Sequence, residues 1–397
     1  MESVDFLLFG LAILIFSGWC FSVFLHFLSI IYGKWLLHRS HPDVVFEDLP
    51  GISILKPLVG IDPNLFENLE SFFKMKYPNF ELLFCIQDEM DASRMIVQSL
   101  IDKYPKVDAK MFLGGRNVGI NPKINNMAIG YEAAKHDLIL ISDSGIKMDE
   151  DTLVDMAVYM TPNVGLVHQM PYTCTRKGLA STYEKVYFGT QHAKMYLSAN
   201  VLGINCAVGM SCLMRKPILE EAGGLHEFGQ YLAEDFFIAQ AFLDRGWRTK
   251  VCSRVAQQNS GSYSIPHLHQ RLCRWMKLRT AMVPGTSMFW EPISLCINLG
   301  LLNAWAVSFL FDISPLSYLL VHILIWFLLD YTMLTVLEKG SIPFSKVDYL
   351  VCWCLNEISY PLLMLQSHWD PIITWRGRNF KLKWGGLVEE LYVKQTV

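Results

Sequence analysis

The stretch that decides the fold is Leu138-Ile-Leu-Ile-Ser-Asp-Ser-Gly145, in which a short apolar run ends in a carboxylate and a glycine. Four consecutive aliphatic residues followed by turn residues are typical of a buried strand in a parallel sheet. Asp143 stands directly behind that strand. Because ligands of open α/β sheets bind beyond the carboxyl ends of the strands, Asp143 is the first indication of a functional site.

The alternation of strand and helix continues upstream of this stretch. We predict strands over 52–55, 82–87 and 109–113, and helices over 64–74, 93–104 and 123–135. This order predicts an α/β fold with a doubly wound, mainly parallel sheet. Asp88 and Asp91, like Asp143, follow the end of a strand.

The uncharged stretch 196–214 resembles a membrane span in length. It contains Asn200 and Asn205, and a crossing there would place Asp143 and Asp235 on opposite sides of a membrane. We therefore predict a buried strand and loop.

The composition of the 397-residue chain indicates a membrane protein. Hydrophobic residues make up 52% and charged residues 18% of the chain, against roughly 45–50% and 25% in soluble domains. Lys plus Arg (34) nearly balances Asp plus Glu (37), so the net charge is −3. That balance argues against a nucleic-acid-binding protein, which needs a basic face. The ten cysteines contain no CxxC pair, which is typical of reduced thiols.

The apolar excess lies at the two ends of the chain. Residues 6–33 lack Asp, Glu, Lys and Arg, and a helix of that length exceeds the ~30 Å hydrocarbon core. The acidic start favours a retained anchor over a cleaved signal peptide. A second block, 293–369, predicts membrane helices over 293–311 and 316–337 and a less apolar one over 349–369. Asp330 and Glu357 would lie inside this block.

Basic residues near the spans predict the orientation of the chain. Lys34 and Arg39 follow the first anchor, which predicts a lumenal N-terminus and a cytosolic segment 34–290. If 349–369 spans the membrane, the tail 370–397 is lumenal. If 349–369 only re-enters the bilayer, the tail stays cytosolic, as its basic residues favour: Arg376, Arg378, Lys381 and Lys383. We predict a cytosolic domain over 50–265 and an amphipathic interfacial helix over 266–290.

The acids behind the strands have two possible roles. Asp143 could hold Mg²⁺ or Mn²⁺ bridging two phosphates, because these ions prefer oxygen ligands. Asp88 and Asp91 could bind the base and ribose of a nucleotide. Capping of a helix or turn is the ordinary alternative for all three aspartates.

Two further segments could carry chemistry. Glu234 and Asp235 precede an apolar helix over 236–243. The dipole of that helix is expected to keep the pKa of Asp235 low, which makes its carboxylate a candidate acceptor for a hydroxyl proton. Helix capping is the alternative role.

The most distinctive string is Gln270-Arg-Leu-Cys-Arg-Trp275. It places Arg271 and Arg274 on one helical face, where they could clamp a pyrophosphate. Trp275 could pack against a sugar or a lipid. The alternative is a helix lying on the membrane surface, and both descriptions can hold together.

Taken together, the three aspartates and the Arg-Xaa-Xaa-Arg-Trp motif resemble membrane-bound, family-2-like glycosyltransferases of the glycosyltransferase-A fold. Longer strings resemble the ceramide glucosyltransferases, namely Leu55-Lys-Pro-Leu58, Gly119-Ile-Asn-Pro-Lys-Ile-Asn-Asn126, Val186-Tyr-Phe-Gly-Thr190, Gly209-Met-Ser-Cys-Leu-Met-Arg-Lys216 and Asn259-Ser-Gly-Ser-Tyr-Ser264. The resemblance covers nearly the whole chain. It implies inverting transfer of glucose from UDP-glucose to the primary hydroxyl of ceramide, on the cytosolic face of the Golgi.

The resemblance also implies roles for single residues. Asp91 and Asp143 match the first two aspartate motifs of the family, and Asp235 matches the third, the catalytic base. The residues expected to bind the nucleotide sugar are Asp88, Asp91, Asp143, Lys123, Arg271, Arg274 and Trp275. Those expected near the substrates are His192, Cys206 and Glu234.

The second motif departs from the wider superfamily. Many relatives carry Asp-Xaa-Asp where this chain has Asp143-Ser144-Gly145. The departure removes one metal ligand, so a divalent cation at Asp143 is expected without a defined coordination shell.

Three other functions stay open at this level. A polysaccharide synthase shares these motifs but needs enough spans for a translocation pore. A polyprenyl-phosphate glycosyltransferase would be expected to place extra basic residues near its anionic acceptor. A non-catalytic lipid-binding protein would not need acids at all three aspartate positions. The sequence determines neither acyl-chain preference nor oligomeric state.

Overall fold

The computed structural model describes residues 3–261, 264–375 and 377–391. Ser262, Tyr263 and Arg376, named above, lie outside these ranges. The chain divides into two compact units. The sheet unit comprises Leu36–Cys174, Ala199–Ser262 and Ile372–Val397, and the helical unit comprises Met1–Trp35, Thr175–Ser198 and Tyr263–Pro371.

The strands all belong to the sheet unit. In chain order they are β1 (Ile52–Leu58), β2 (Phe80–Ile86), β3 (Ala109–Leu113), β4 (Leu138–Ser142), β5 (Ile146–Lys147), β6 (Val164–His168), β7 (Pro171–Thr173), β8 (Ser211–Arg215), β9 (Arg248–Val251), β10 (Ala256–Gln258), β11 (Ile372–Trp375), β12 (Arg378–Leu382) and β13 (Val388–Leu391).

Seven of these strands form the main sheet, in the order β3-β2-β1-β4-β8-β6-β9. The pairs β1–β2, β1–β4, β2–β3 and β6–β9 are parallel, and only β8 runs antiparallel to its neighbours β4 and β6. The predicted mainly parallel sheet is therefore confirmed. Since β1, β2 and β4 are parallel, Asp143 and Asp88 follow strands that end at the same edge of the sheet.

The helices are distributed over both units. In chain order they are α1 (Ser3–Leu36), α2 (Leu65–Phe73), α3 (Ser93–Lys103), α4 (Pro122–Ala133), α5 (Thr152–Tyr159), α6 (Leu179–Tyr187), α7 (Ala193–Leu202), α8 (Lys216–Glu221), α9 (Gly224–Glu227), α10 (Glu234–Asp244), α11 (Ile265–Met282), α12 (Glu291–Ile293), α13 (Cys296–Phe311), α14 (Pro315–Leu337) and α15 (Lys346–Trp369).

The core of the sheet unit holds helices α4 and α10 against the strands. Fully buried Ile124 of α4 and Phe242 of α10 belong to the same apolar cluster as Leu55, Leu83 and Ile139 of the strands. Burying one such side chain contributes roughly 1.5–3 kcal/mol. Packing of apolar side chains therefore fixes α4 and α10, and both helices begin at the candidate site.

Two elements of the sheet unit differ from the prediction. β1 continues through Lys56 and Pro57 to Leu58, whereas its pairing with β4 ends at Leu55. Pro57 therefore occupies a position where β4 needs no N–H from it. In the stretch 196–214 the first part is helical, in α7, and only the last part is strand β8. The predicted strand was wrong there, because this helix continues from the preceding turn of π-helix over Phe188–His192.

The helical unit contains the apolar segments. Asp5–Leu36 and Pro315–Leu337 are long and apolar enough to cross a membrane. Over the predicted span 293–311 the chain instead forms the bent pair Thr286–Ile293 and Cys296–Phe311, with an angle of 69° between them. The break lies at Ser294 and Leu295, between the two helices. Segment 349–369 is helical within α15, but its polar residues make it less apolar than the helices that could cross a membrane.

The predicted interfacial helix over 266–290 is shorter than expected. α11 ends at Met282, and a turn of π-helix over Thr286–Trp290 follows. Pro284 accounts for the end of α11, since the residue before a proline avoids the helical conformation.

Candidate active site

The end of β4 presents Asp143 to solvent. Its side chain keeps 44% of its exposure. Lys56, buried at the end of β1, donates from Nζ to the backbone oxygen of Asp143 at 2.7 Å and to Ser142 Oγ at 3.3 Å. The same Nζ lies 3.8 Å from the ring centroid of Phe72. Burial holds the pKa of Lys56 well below its ordinary value. Lys56 therefore fixes the strand end while the Asp143 carboxylate points outward.

Lys123 lies at the centre of an acidic cluster that also contains Asp143, Glu234 and Asp235. Its Nζ lies 2.9 Å from Asp143 Oδ1 and 3.0 Å from Glu234 Oε1, and it donates to the backbone oxygen of Gly209 at 3.1 Å. Only 12% of the side chain is exposed. Burial opposes the charge on Lys123, but the carboxylates of Asp143 and Glu234 outweigh it and raise the pKa. The fold therefore places the positive charge of Lys123 between Asp143 and Glu234, which lie far apart in the sequence.

Local sequence explains the position of Lys123. Asn121 caps α4, because its Oδ1 accepts from the backbone N–H of Lys123 at 2.8 Å and Pro122 begins the helix. The Nδ2 of Asn121 donates to Glu234 Oε2 at 2.8 Å. Glu234 is therefore held by Asn121 and Lys123 together and is almost fully buried.

Asp235 lies in the first turn of α10, as predicted. The backbone N–H of Phe236 donates to its Oδ1 at 2.9 Å, and the backbone N–H of Gly209 donates to its Oδ2. A Cβ on Gly209 would lie 3.1 Å from Asp235 Oδ2. The glycine therefore allows the backbone to approach the carboxylate closely.

The expected low pKa of Asp235 was wrong. Burial, followed by the negative charge of Glu234, raises the pKa of Asp235 to about 6. Lys123 and the two backbone N–H groups act in the opposite direction but do not outweigh the burial. The carboxylate is still mostly ionised at pH 7, so it can accept a proton, and its pKa lies near the range that general bases use.

Asp88 and Asp91 bind backbone of the turns around them. Asp88 Oδ1 accepts from the N–H of Met90 at 2.9 Å. Asp91 Oδ1 accepts from the N–H of Ser93 at 2.8 Å, and its Oδ2 accepts from the N–H of Gly60 at 2.7 Å. These contacts match the capping alternative and tie the segment before α3 to the loop after β1. Their predicted contact with a nucleotide stays a prediction.

The Arg-Xaa-Xaa-Arg-Trp motif lies on α11, in the helical unit. Arg271 Nη1 donates to Glu184 Oε1 at 3.0 Å, and Arg176 binds the other oxygen of the same carboxylate. Glu184 is buried in α6. The guanidinium of Arg271 also lies 4.5 Å from the ring centroid of Trp275. One arginine of the predicted clamp is thus engaged by an internal carboxylate, and Arg274 is half-buried.

His192 lies among aromatic rings of the helical unit. Its Nε2 is 2.9 Å from the hydroxyl of Tyr187, and its ring centroid lies 5.2 Å from Phe188 and 6.4 Å from Trp275. Its Nδ1 is buried and has no hydrogen-bond partner among the described residues. Burial lowers the pKa of His192 well below its ordinary value, so the ring is neutral at pH 7.

Cys206 lies in the sheet unit, on the loop between α7 and β8. Burial raises the pKa of its thiol to about 12. The thiol therefore stays protonated at neutral pH and is unsuited to nucleophilic attack.

The structure brings together Lys123, Asp143, Glu234 and Asp235 and assigns the motif helix with His192 to the other unit. That the two groups act on one pocket stays a prediction. Lys56, Asn121 and Gly209 were missed as site residues. A lysine inside an apolar strand and an asparagine before Pro122 were the available signals for two of them.

The residues around Asp143 fit a divalent cation only if the substrate and water supply the other ligands. The described residues contain no group of three or more His, Cys, Asp or Glu side chains placed to hold a metal. Asp143 is exposed and offers one carboxylate. Mg²⁺ is commonly held by one or two carboxylates, the phosphates of the substrate and water. The residues present therefore suit a cation that arrives with a diphosphate.

Comparison with known proteins shows the family of this chain. Residues 21–388 match glycosyl transferase family 21. Ceramide glucosyltransferase 3 of Caenorhabditis elegans is 42% identical over 92% of this chain and 79% of its own length. Ceramide glucosyltransferase 1 of the same organism is 40% identical over 98% and 84%.

More distant similarity extends to fungi and to a solved structure. A ceramide glucosyltransferase of Komagataella phaffii is 27% identical over 86% of this chain and 84% of its own. The mannosyltransferase PcManGT from Pyrobaculum calidifontis, solved with GDP-Man and Mn²⁺, has 15% identity and a TM-score of 0.49 over 91% of this chain and 96% of its own. The family match spans both units and includes every residue of the acidic cluster and of the motif helix. This chain belongs to glycosyl transferase family 21.

Proposed function

We propose that this chain transfers glucose from UDP-glucose to the primary hydroxyl of ceramide with inversion at the anomeric carbon. The observation that carries the proposal is the position of Lys123 between Asp143 and Glu234, beside the carboxylate of Asp235. The relatives named as ceramide glucosyltransferases support the choice of donor sugar and acceptor.

Asp143 and Lys123 form the end of the site that handles the diphosphate. Lys123 supplies a fixed positive charge, and Asp143 would hold the divalent cation together with the phosphates. When bound, the cation stabilises the negative charge of the departing diphosphate. Losing one electrostatic contact of this kind typically costs about 3–4 kcal/mol of transition-state stabilisation. Asp88 and Asp91 are proposed to contact uridine beyond the end of β2, which is separated from β4 by β1.

Asp235 is proposed as the general base. It takes the proton of the ceramide hydroxyl as the oxygen attacks the anomeric carbon. General base assistance is typically worth 10²–10⁴ in rate. Glu234 touches Lys123 and Asn121 and holds the first turn of α10, so its proposed role is to position Asp235 and to raise its pKa.

A single displacement accounts for inversion. The ceramide oxygen forms its bond to the anomeric carbon as the bond from that carbon to the UDP oxygen breaks. No covalent intermediate on the protein is needed. Burial raises the pKa of the thiols of Cys206 and Cys212, so both are protonated at neutral pH, which favours direct attack by the acceptor.

The helical unit is proposed to serve the acceptor. Ceramide carries two long chains, and each buried CH₂ contributes about 0.8 kcal/mol to membrane retention, so ceramide does not leave the bilayer for a soluble pocket. The Nδ1 of His192 has no hydrogen-bond partner among the described residues, and the rings of Phe188, His192 and Trp275 pack together. The proposed acceptor site thus combines one polar atom with an aromatic surface. This arrangement suits an amphiphile. Arg271 and Arg274 are proposed to face the diphosphate.

The proposed location is the Golgi membrane, with the sheet unit in the cytosol and the N-terminus in the lumen. The basic residues after α1 support this orientation.

The test is to incubate the purified protein with ceramide and a panel of UDP-sugars, with and without EDTA. We expect an alkali-stable glucolipid only with UDP-glucose, and less product with EDTA. An acid-labile glycolipid or a polymer would instead identify a polyprenyl-phosphate glycosyltransferase or a polysaccharide synthase. Asp235→Asn should lose about 10²-fold or more in kcat while remaining folded, and near-normal turnover of that variant would remove Asp235 from the base role.

A further inference from the structure

The C-terminal strands form a small antiparallel sheet inside the sheet unit. β12 pairs with both β11 and β13, with Leu382 opposite Val388. Phe380 is completely buried in it. The turn between β12 and β13 contains Gly385 and Gly386, whose φ angles of +82° and +77° lie in the left-handed region that favours glycine. The tail is therefore an ordered element with a defined turn.

The last residue of that turn contacts the segment that leads to the candidate base. Leu387 forms an isolated antiparallel backbone bridge with Tyr231, four residues before Asp235. The ring of Tyr231 stacks on Phe237 of α10 with 3.7 Å between centroids. The tail thus pairs with the backbone immediately ahead of α10.

A second set of contacts holds the same segment from the start of α4. Asn121 Nδ2 donates to the carbonyl of Tyr231 at 2.7 Å, and the backbone N–H of Asn121 donates to the carbonyl of Gly229 at 2.8 Å. Gly119 approaches Gly229 so closely that a Cβ on Gly119 would lie 2.4 Å from that carbonyl oxygen. Residues 228–233 are therefore held both by the α4 loop and by the tail.

We propose that Leu387 and the turn of the C-terminal sheet position Asp235 for catalysis. The inference rests on the proposed function, because it takes Asp235 as the base. Asp235 is the second residue of α10, so the direction of its carboxylate depends on where the chain enters that helix. A displacement of about 1 Å in a catalytic group can cost about 10²-fold in rate. Leu387 is a positioning residue that acts through the backbone at Tyr231.

The experiment uses full-length variants. Leu387→Pro removes an N–H and restricts the backbone at the bridge. We expect kcat to fall by about tenfold or more, the KM for UDP-glucose to stay within about twofold, and the amide hydrogens of residues 228–235 to exchange faster. The control, Trp384→Ala, changes an exposed side chain of the same turn and keeps its backbone. It should retain kcat within about twofold.

Two outcomes would overturn the inference. One is normal kcat in folded Leu387→Pro, and the other is reduced kcat without faster exchange over 228–235. If Leu387→Pro does not fold, Gly385→Val replaces it, because valine at a positive φ strains the turn while open space surrounds the new side chain. Asp235→Asn is assayed in parallel. If that variant stays active, the proposed base fails; if it is inactive while Leu387→Pro is normal, only the positioning role of the tail fails.

Discussion

At the scale of single residues, the site depends on one buried cation and the acids around it. Lys123 neutralises Asp143 and Glu234, and Asp235 stands beside them with a raised pKa. The environment therefore assigns different tasks to acids that look alike in the sequence. Asp143 is partly exposed, Glu234 binds Lys123 and Asn121, and the pKa of Asp235 is raised to about 6.

The raised pKa of Asp235 predicts the acid limb of the pH–rate profile. Because the folded protein raises this pKa to about 6, the base is protonated and activity is lost as the pH falls through about 6. Glu234→Gln removes a neighbouring negative charge, so the limb should move to lower pH. The profile of kcat between pH 5 and 8 measures this shift. Glu227→Gln, at an exposed glutamate, is the control and should leave the limb in place; an unchanged limb in Glu234→Gln would contradict the prediction.

Lys123→Met should destabilise the sheet unit. Removing one partner of a buried ion pair leaves a charge uncompensated and typically costs about 3–5 kcal/mol. We expect a loss near about 3 kcal/mol, because Asp143 is partly exposed while Glu234 is not. Thermal or denaturant unfolding of the purified protein measures it. Lys147→Met breaks the more exposed pair with Glu67 and should cost at most about 1 kcal/mol; equal losses in the two variants would count against the prediction.

At the scale of elements, buried polar residues join the apolar helices. Asp330 of α14 lies 3.2 Å from His26 Nε2 of α1 and accepts from Trp353 Nε1 of α15 at 2.9 Å. Glu357 of α15 accepts from the backbone N–H groups of Cys296 and Ile297, at the start of α13. Both acids therefore have partners on other helices. In an apolar environment such bonds fix which helices pack together.

The network at Asp330 makes a prediction about helix packing. Asp330→Leu removes both contacts and should lower the free energy of unfolding in detergent by about 1–2 kcal/mol. Asp330→Asn keeps an oxygen acceptor for Trp353 and should lose less. A thermal unfolding series on the two variants measures the difference. Thr332→Leu, at a half-buried position of α14 outside the network, is the control; if Asp330→Leu were as stable as that control, the network would have no role in packing.

At the scale of the whole molecule, the tail is part of the sheet unit. β13 belongs to that unit, and Leu387 pairs with Tyr231 of the same unit. We therefore predict that the tail and the acidic cluster lie on the same side of the membrane. This prediction favours the alternative in which 349–369 re-enters the bilayer without crossing it.

The side of the tail is directly testable. An epitope after residue 397 and a second epitope in the exposed loop between β3 and α4 should become accessible together when only the plasma membrane is permeabilised. The physical reason is that both belong to the sheet unit. An epitope inserted before residue 3 should need full permeabilisation, because we predict that α1 crosses once. Protection of the C-terminal epitope alone would contradict the prediction.

The pattern of the chain was sufficient for the four strands β1 to β4 of the seven-stranded sheet. Aliphatic runs followed by turn residues predicted the strands β2, β3 and β4 and the positions of Asp88 and Asp143 behind them, because burial of apolar strands is a local property of sequence. The first apolar segment was equally plain, since 28 residues without a charge between 6 and 33 leave few alternatives. The spacing of acids and arginines was sufficient to indicate the family.

Contacts between distant segments were out of reach of such patterns. The ion pairs of Lys123 with Asp143 and Glu234 join residues far apart in sequence, and burial by the surrounding core reversed the expected shift of the Asp235 pKa. The bridge between Leu387 and Tyr231 likewise depends on how the tail packs within the sheet unit. Periodicity and propensity describe neighbours along the chain, whereas charge compensation, desolvation and backbone pairing depend on neighbours in space, and only the folded molecule brings those together.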